Sequence, residues 1–244
     1  MLNTIEINPR TREILYITDE ESTALELVGK KEAVLFVCKN PENAPFLKGI
    51  RYITDDVNSC DMDYFRLVYA RQKKLSLKIL ETGRCIVREL TLSDLDDLYK
   101  IYEDPEIKKY LEPLYDYEKE KEFLSNYIEN MYGMFGYGLW AVVDRESGKL
   151  IGRAGISIRS INGKDENELG YVLDNKYRKK GIAYEVSDAI LKYAKEKLGM
   201  KKMHIVTSQN NTPSIALAEK LGFEYYDNAY INNENYKIFL KTLN

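Results

Sequence analysis

Apolar residues along the chain fall into two patterns. Short continuous runs read as strands, and stretches with apolar positions three and four apart read as amphipathic helices. In the N-terminal part, residues 14–19 (ILYITD), 33–38 (AVLFVC) and 50–56 (IRYITDD) are strand-like. Residues 20–29 (EESTALELVG) form helix-favouring sequence closed by Gly29 as a C-cap. Residues 39–45 (KNPENAP) read as a turn or loop. Residues 62–74 (MDYFRLVYARQKK) put Phe65, Val68 and Tyr69 on one helical face. Strands alternating with helices predict a small α/β domain over residues 1–80, built on a parallel sheet. Its acidic clusters, Asp19-Glu20-Glu21 and Asp55-Asp56, are expected to cap helices rather than to bind ligand.

A hinge-like stretch, residues 75–84 (LSLKILETGR), leads into a second domain, residues 81–244. Residues 85–90 (CIVREL) predict a strand. A helix capped by Thr91 or Ser93 follows, with Leu95, Leu98, Tyr99 and Tyr102 facing inward. Residues 117–133 predict another helix, with Phe123, Tyr127, Ile128 and Met131 at core spacing. Residues 138–144 and 149–160 form a hairpin about Gly148, with Trp140 as a core residue. Residues 161–167 (INGKDEN) read as a loop before a third strand, residues 168–174 (ELGYVLD). Next comes a long helix with Ile182, Val186, Ala189, Ile190, Tyr193 and Leu198 on one stripe, ended by Gly199. Residues 203–208 (MHIVTS) complete a strand–helix–strand crossover between parallel strands. A short helix begins with Asn211 or Thr212 as cap and Pro213 at its first position, and closes at Gly222. Two last strands, 223–231 and 236–243, flank the turn Asn233-Glu234-Asn235. The prediction is an α/β (α+β) fold with a mixed sheet, preceded by the small α/β domain.

Composition narrows the chemistry. With 244 residues and a formal net charge of −3, the chain lacks the basic excess of a general nucleic-acid binder. Three widely spaced cysteines, Cys38, Cys60 and Cys85, give neither a disulfide framework nor a zinc pair. No apolar run approaches a membrane span, and the N-terminus does not read as a signal peptide, so a cytoplasmic protein without membrane partners is expected. The single histidine, His204, excludes a multi-histidine metal site; no metal is expected.

The chemically suggestive stretch is residues 178–183: Arg178, Lys179, Lys180, Gly181, Ile182 and Ala183. A basic turn with a glycine, opening a helix at the carboxyl end of a strand, can hold phosphate on backbone N–H groups and the helix dipole. It matches neither GxxxxGK[ST] nor GxGxxG, which disfavours a P-loop NTPase or a dinucleotide enzyme.

This turn, followed by Asn211, Ser214, Leu221, Gly222 and Phe223 in the spacing N-x-x-S-(x)6-L-G-F, resembles the GNAT superfamily of acetyl-CoA-dependent N-acetyltransferases, whose motif is (Q/R)-x-x-G-x-(G/A). The helix–helix–hairpin prelude from about residue 84 resembles the branch that acetylates N-termini of ribosomal proteins. The resemblance covers residues 84–244 and leaves the N-terminal domain outside. It implies acetyl transfer from acetyl-CoA to a primary amine, on a peptide N-terminus or a small molecule, by a monomer or homodimer. Backbone amides of residues 178–183 would hold the coenzyme A pyrophosphate. Backbone groups of Val172 and Leu173 would pair with the pantetheine arm, and Asn211 and Ser214 would contact it from the far side. Glu168 would be the general base, with Glu166 and His204 as weaker candidates. Many relatives carry a tyrosine in the last helix to protonate the leaving thiolate. Ala218 stands there in this chain, so water or a serine such as Ser214 would serve instead. The same departure leaves open a catalytically silent acyl-CoA-binding sensor or scaffold.

Overall fold

The computed structural model describes residues 2–8, 10–40, 49–161, 163–231 and 234–243. The chain divides into two units, Met1–Leu77 and Lys78–Asn244. In the first, Leu2–Asn8 (β1), Glu13–Thr18 (β2), Ala33–Val37 (β3) and Ile53–Thr54 (β4) form one sheet in that order. β2, β3 and β4 are mutually parallel, as expected. β1 is an addition: it runs antiparallel to β2 at the edge, where its alternation turns Ile5 and Ile7 toward the core. β3 reads as apolar throughout because both its faces are covered. Leu35 packs with Phe65, Val68 and Tyr69 of Met62–Gln72, and Val34 and Phe36 pack with Ala24 of Glu21–Gly29. These helices are α2 and α1 respectively. The strand expected over 50–56 is only two residues long, because Asp56 turns the chain by accepting the Asn58 N–H at 2.9 Å. Asp61 caps α2 through the Tyr64 N–H. Residues 41–48, most of the expected KNPENAP turn, lie outside the described residues.

The second unit begins with Lys78–Glu81 (β5), so the stretch read as a hinge supplies an edge strand. Cys85–Arg88 (β6), Leu139–Asp144 (β7), Leu150–Ile161 (β8), Lys164–Leu173 (β9), Lys202–Ser208 (β10), Glu224–Ile231 (β11) and Glu234–Thr242 (β12) complete an eight-stranded sheet. Its order is β11-β12-β10-β9-β8-β7-β6-β5. All neighbours are antiparallel except β9 and β10. The loop expected over 161–167 is mostly strand. Its polar residues continue the β8–β9 ladder out to Lys164↔Ile161, because a ladder needs backbone groups and tolerates polar side chains on a solvated end. Asn162 and Asn233, in the two expected turns, lie outside the described residues.

Two helical layers cover this sheet. On one face, Leu95–Tyr102 (α3), Pro105–Lys108 (α4) and Tyr117–Tyr127 (α5) bring Leu95, Leu98, Ile101, Ile107 and Leu124 against Ala141, Val143 and Val172. Helix α5 passes through a π-helical turn, Ile128–Tyr132, into Gly133–Phe135 (α6). The buried apolar residue on α5 is Leu124, whereas Phe123, expected in the core, is 47% exposed and meets Tyr115 edge-on and Tyr127 at a tilt. On the other face, Ile182–Glu196 (α7) and Thr212–Lys220 (α8) bury Ile182, Val186, Ile190 and Ala218 against Leu169, Leu173 and Ile205. Trp140 is fully buried here, edge-on to Tyr193. Among the described residues no helix is long and apolar enough to cross a membrane, and no group of three His, Cys, Asp or Glu could hold a metal ion.

The start of α3 is fixed by Asp94, whose carboxylate takes both Arg88 guanidinium nitrogens at 2.7 Å and the Thr91 N–H at 2.7 Å. Burial works to raise its pKa, but these bonds outweigh it and hold Asp94 below the ordinary carboxylate range. Its contribution is therefore present above the unfolded-state pKa and lost as pH falls through the folded one. Asp94→Ala strands Arg88 beside a buried cavity and should cost about 3 kcal/mol of unfolding free energy in urea at pH 7, the scale of a broken buried pair. The difference from wild type should shrink in acid.

Candidate active site

The site is built on a failure of strand pairing. β9 and β10 run parallel and share a single ladder pair, Glu168↔His204. Beyond it β9 continues to Leu173, still paired with β8 as far as Leu173↔Gly152, while β10 continues to Ser208, paired with β12. Among the described residues, 169–173 have no ladder partner on the β10 side. The two strands thus part into a wedge, with Glu168 and His204 at its apex. Each is anchored on its outer side, so the wedge is a property of the sheet rather than of a loop.

Glu168 is 7% exposed. Its Oε2 accepts Arg159 Nε at 2.7 Å and, more weakly, the Ser157 hydroxyl at 3.4 Å, and its carboxyl takes the Val206 N–H of β10. Burial pushes its pKa up, partly offset by Arg159, Ser157 and Val206. The other two candidates are placed differently. Glu166 is engaged by Lys202, which lowers its pKa. His204 is 3% exposed, rests on the Asn167 carbonyl at 3.4 Å and meets Tyr226 edge-on at 6.1 Å. Burial lowers its pKa, so it is neutral at pH 7.

At the carboxyl end of β9, Asp174 caps a 3-10 turn, Asn175–Tyr177, by accepting the Lys176 N–H. The basic turn follows. Lys179 and Gly181 both have left-handed backbone, φ 58° and 79°. Gly181 is the N-cap of α7 and brings no capping side chain, and the first intrahelical bond is Glu185 N–H to its carbonyl. The N–H groups of Ile182, Ala183 and Tyr184 therefore have no intrahelical acceptor. A β-carbon on Gly181 would meet nothing nearer than Arg84 Nη2 at 3.7 Å, so the glycine is required by its φ and not by crowding.

The basic side chains of the turn do not all face outward. Arg178 donates Nε to the Leu173 carbonyl at 3.0 Å and pairs Nη2 with Asp104 at 2.9 Å, while its own N–H is bonded to Asn175. Lys180 lies over the Tyr177 ring at 5.5 Å. Arg84 braces the turn from the β5–β6 connection: Nη1 reaches the Lys180 carbonyl at 2.8 Å and Nε reaches Glu185 at 2.7 Å. Burial works to raise the Glu185 pKa, but bonds from Thr82 and Arg84 lower it. Arg84, Asp104 and Glu185 were not singled out from sequence. No local pattern joins Arg84 to a carbonyl 96 positions away.

On the β10 side, Asn211 caps α8 by accepting the Ser214 N–H at 3.3 Å. The Ser214 hydroxyl meets the Tyr171 hydroxyl of β9 at 2.9 Å. Ala218, one helical turn beyond Ser214, is fully buried in the core. Tyr110, just past α4, donates its hydroxyl to the Asn210 carbonyl at 3.3 Å. The segment from Asp104 to Tyr110 therefore touches both sides of the opening: Arg178 after β9 and Asn210 after β10. The structure thus places Glu168, Val172 and Leu173 on β9, the 178–183 turn between β9 and the body of α7, and Asn211 and Ser214 at the start of α8, after β10.

The sequence matches the acetyltransferase (GNAT) domain family over residues 84–224, more than half of the chain. The chain belongs to this family of acetyl-CoA-dependent acetyltransferases. It is 29% identical over 147 residues to protein YkkB of Bacillus subtilis (strain 168), covering 60% of this chain and 85% of YkkB. It is 28% identical over 152 residues to N-acetyltransferase p20 of Bacillus licheniformis, covering 61% and 83%. Among solved structures, a GNAT-family acetyltransferase from Bacillus anthracis superposes with TM-score 0.56 at 23% identity, covering 67% of this chain and 98% of that one. RimL, a ribosomal L7/L12 alpha-N-protein acetyltransferase, gives TM-score 0.58 at 15% identity, covering 69% and 95%.

Because Glu168 is protonated more readily folded than unfolded, its ionisation works against folding as pH rises through the folded-state pKa. Glu168→Gln removes that dependence. Relative to wild type, the variant should gain stability in urea titrations as pH rises above the ordinary carboxylate range. A difference independent of pH would contradict the burial-driven shift.

Proposed function

We propose that residues 78–244 transfer an acetyl group from acetyl-CoA directly to a primary amine, either a protein N-terminus or a small-molecule amine. The carrying observation is the Glu168 carboxyl, buried at the one residue pair that two parting strands share. The wedge beside it offers unpaired strand edge, and the turn after β9 offers helix N–H groups beside a left-handed glycine. Both suit an extended ligand ending in phosphates.

Acetyl-CoA supplies the acetyl thioester; the chain's residues do the rest. Backbone N–H groups of Lys179, Lys180, Gly181, Ile182 and Ala183 hold the pyrophosphate. Arg178 instead secures the end of β9, since its guanidinium and its N–H are already engaged. The backbone of Val172, and of Leu173 apart from its carbonyl, lines the pantetheine arm, and Asn211 keeps the start of α8 in place beside it.

Glu168 accepts the amine proton, directly or through water. A carboxylate with a raised pKa is a better base than an ordinary one, and Arg159 keeps it oriented and offsets part of the rise that burial causes. An α-amino acceptor, with a free pKa of about 8, arrives partly neutral and asks little of that base. RimL, a structural neighbour by fold, is named for such an acceptor, which supports testing peptide N-termini first.

Incubation with acetyl-CoA and a panel of peptides, polyamines and aminoglycosides, followed by mass spectrometry, tests this reading. An acetylated product is expected from at least one amine, at a rate lowered at least about tenfold by Gly181→Val, which forces a β-branched residue into left-handed backbone. Tight acetyl-CoA binding with no product from any amine would instead favour the silent sensor.

A further inference from the structure

The hydroxyls of Tyr171 and Ser214 meet at 2.9 Å across the wedge, one carried by β9 and the other by the first turn of α8. The strands have no ladder bond at this level, so this side-chain contact joins their two sides where the backbones have separated. Both residues are half-buried. The position one turn further along α8 is Ala218, fully buried and without a polar side-chain atom, so it offers no second hydroxyl on that face.

We infer that Tyr171 is a positioning residue for acetyl transfer: it donates its hydroxyl proton to Ser214 Oγ, which directs the Ser214 proton into the wedge toward the sulfur that leaves. This rests on the proposed reading that the pantetheine arm lies between β9 and β10. A phenol is a stronger acid than an aliphatic hydroxyl, so the favoured direction of the bond is Tyr171 to Ser214. Ser214 accepts through one lone pair and keeps its own proton free for a second acceptor. Burial raises the Tyr171 pKa, which keeps the donor protonated.

The chemistry balances without net transfer from either residue. As the carbon–sulfur bond breaks, its electron pair stays on sulfur. The Ser214 O–H donates to that charge, Tyr171 polarises Ser214, and the acceptor's proton is on Glu168 or in water. Two hydroxyls in series thus stabilise the thiolate, which water later protonates. The pair supplies a donor that Ala218 cannot.

Ultraviolet titration of the thiol of bound, unacetylated coenzyme A reads this directly, without turnover. Calorimetry confirms saturation at each pH. In the wild type the bound thiol should be more acidic than in solution. Ser214→Ala should lower its acid dissociation constant about tenfold. Tyr171→Phe should lower it several-fold, and the double variant should match Ser214→Ala alone, because Tyr171 acts only through Ser214. Ser214→Thr, which restores a hydroxyl, should recover most of the effect. In steady state the single variants should lower kcat and leave the KM for acetyl-CoA nearly unchanged. A bound-thiol titration identical in wild type, Tyr171→Phe and Ser214→Ala overturns the inference while leaving the donor site standing. Failure of the wild type to bind coenzyme A would remove the donor-site reading itself.

Discussion

Parallel strands gain one ladder after another when they stay together, and β9 and β10 decline that gain after a single pair, Glu168↔His204. What allows them to part is that each is held by its other neighbour. β9 is paired with β8 over its whole length and β10 with β12. The separated edges leave backbone groups that a buried sheet interior would not tolerate without partners. An extended ligand that supplies a missing strand's polar groups answers that constraint. The rest of the unit serves the same opening. The crossover helix α7 starts at the carboxyl end of β9, α8 starts at the end of β10, and the segment from Asp104 to Tyr110 touches both ends.

Charge is distributed to suit that arrangement. In sequence the turn reads as backbone N–H groups at a helix start, with basic side chains adding favourable charge. Arg178 in fact faces inward, holding the Leu173 carbonyl and Asp104, and Arg84 supports the turn from another part of the sheet. The backbone of the turn is fixed by the left-handed Lys179 and Gly181, and the side chains of Lys179 and Lys180 are exposed beside it. Recognition by rigid backbone needs no reorganisation when ligand arrives, whereas flexible lysines would have to be ordered. Glu168 is likewise fixed by its surroundings: burial raises its pKa, and Arg159 offsets part of that rise.

Elements with strong periodicity were legible from sequence. The stripe of α7, the crossover into β10 and the Pro213 start of α8 all follow from residue spacing. Errors arose where the local pattern was ambiguous or where partners were distant. Residues 164–167 are polar and read as loop, yet the β8 ladder holds them as strand. Phe123 and Leu124 are equally apolar neighbours, and only the packing of α5 decided that Leu124 turns inward. β1 was missed because LNTIEIN alternates weakly and gains its burial from α2. Glu168 could be nominated from its place before the motif, but its ion pair with Arg159 depends on β8–β9 register. The Tyr171–Ser214 bond likewise joins residues 43 positions apart, which no spacing rule anticipates.

In the proposed reading the wedge between β9 and β10 and the start of α7 form one donor site. Amide hydrogen–deuterium exchange with and without acetyl-CoA tests this, because it reads the backbone groups that would hold the ligand. Added acetyl-CoA should slow exchange in peptides covering 169–173 and 179–184, with little change in β5 to β7. Slowed exchange confined to other segments, with none in these two, would contradict it.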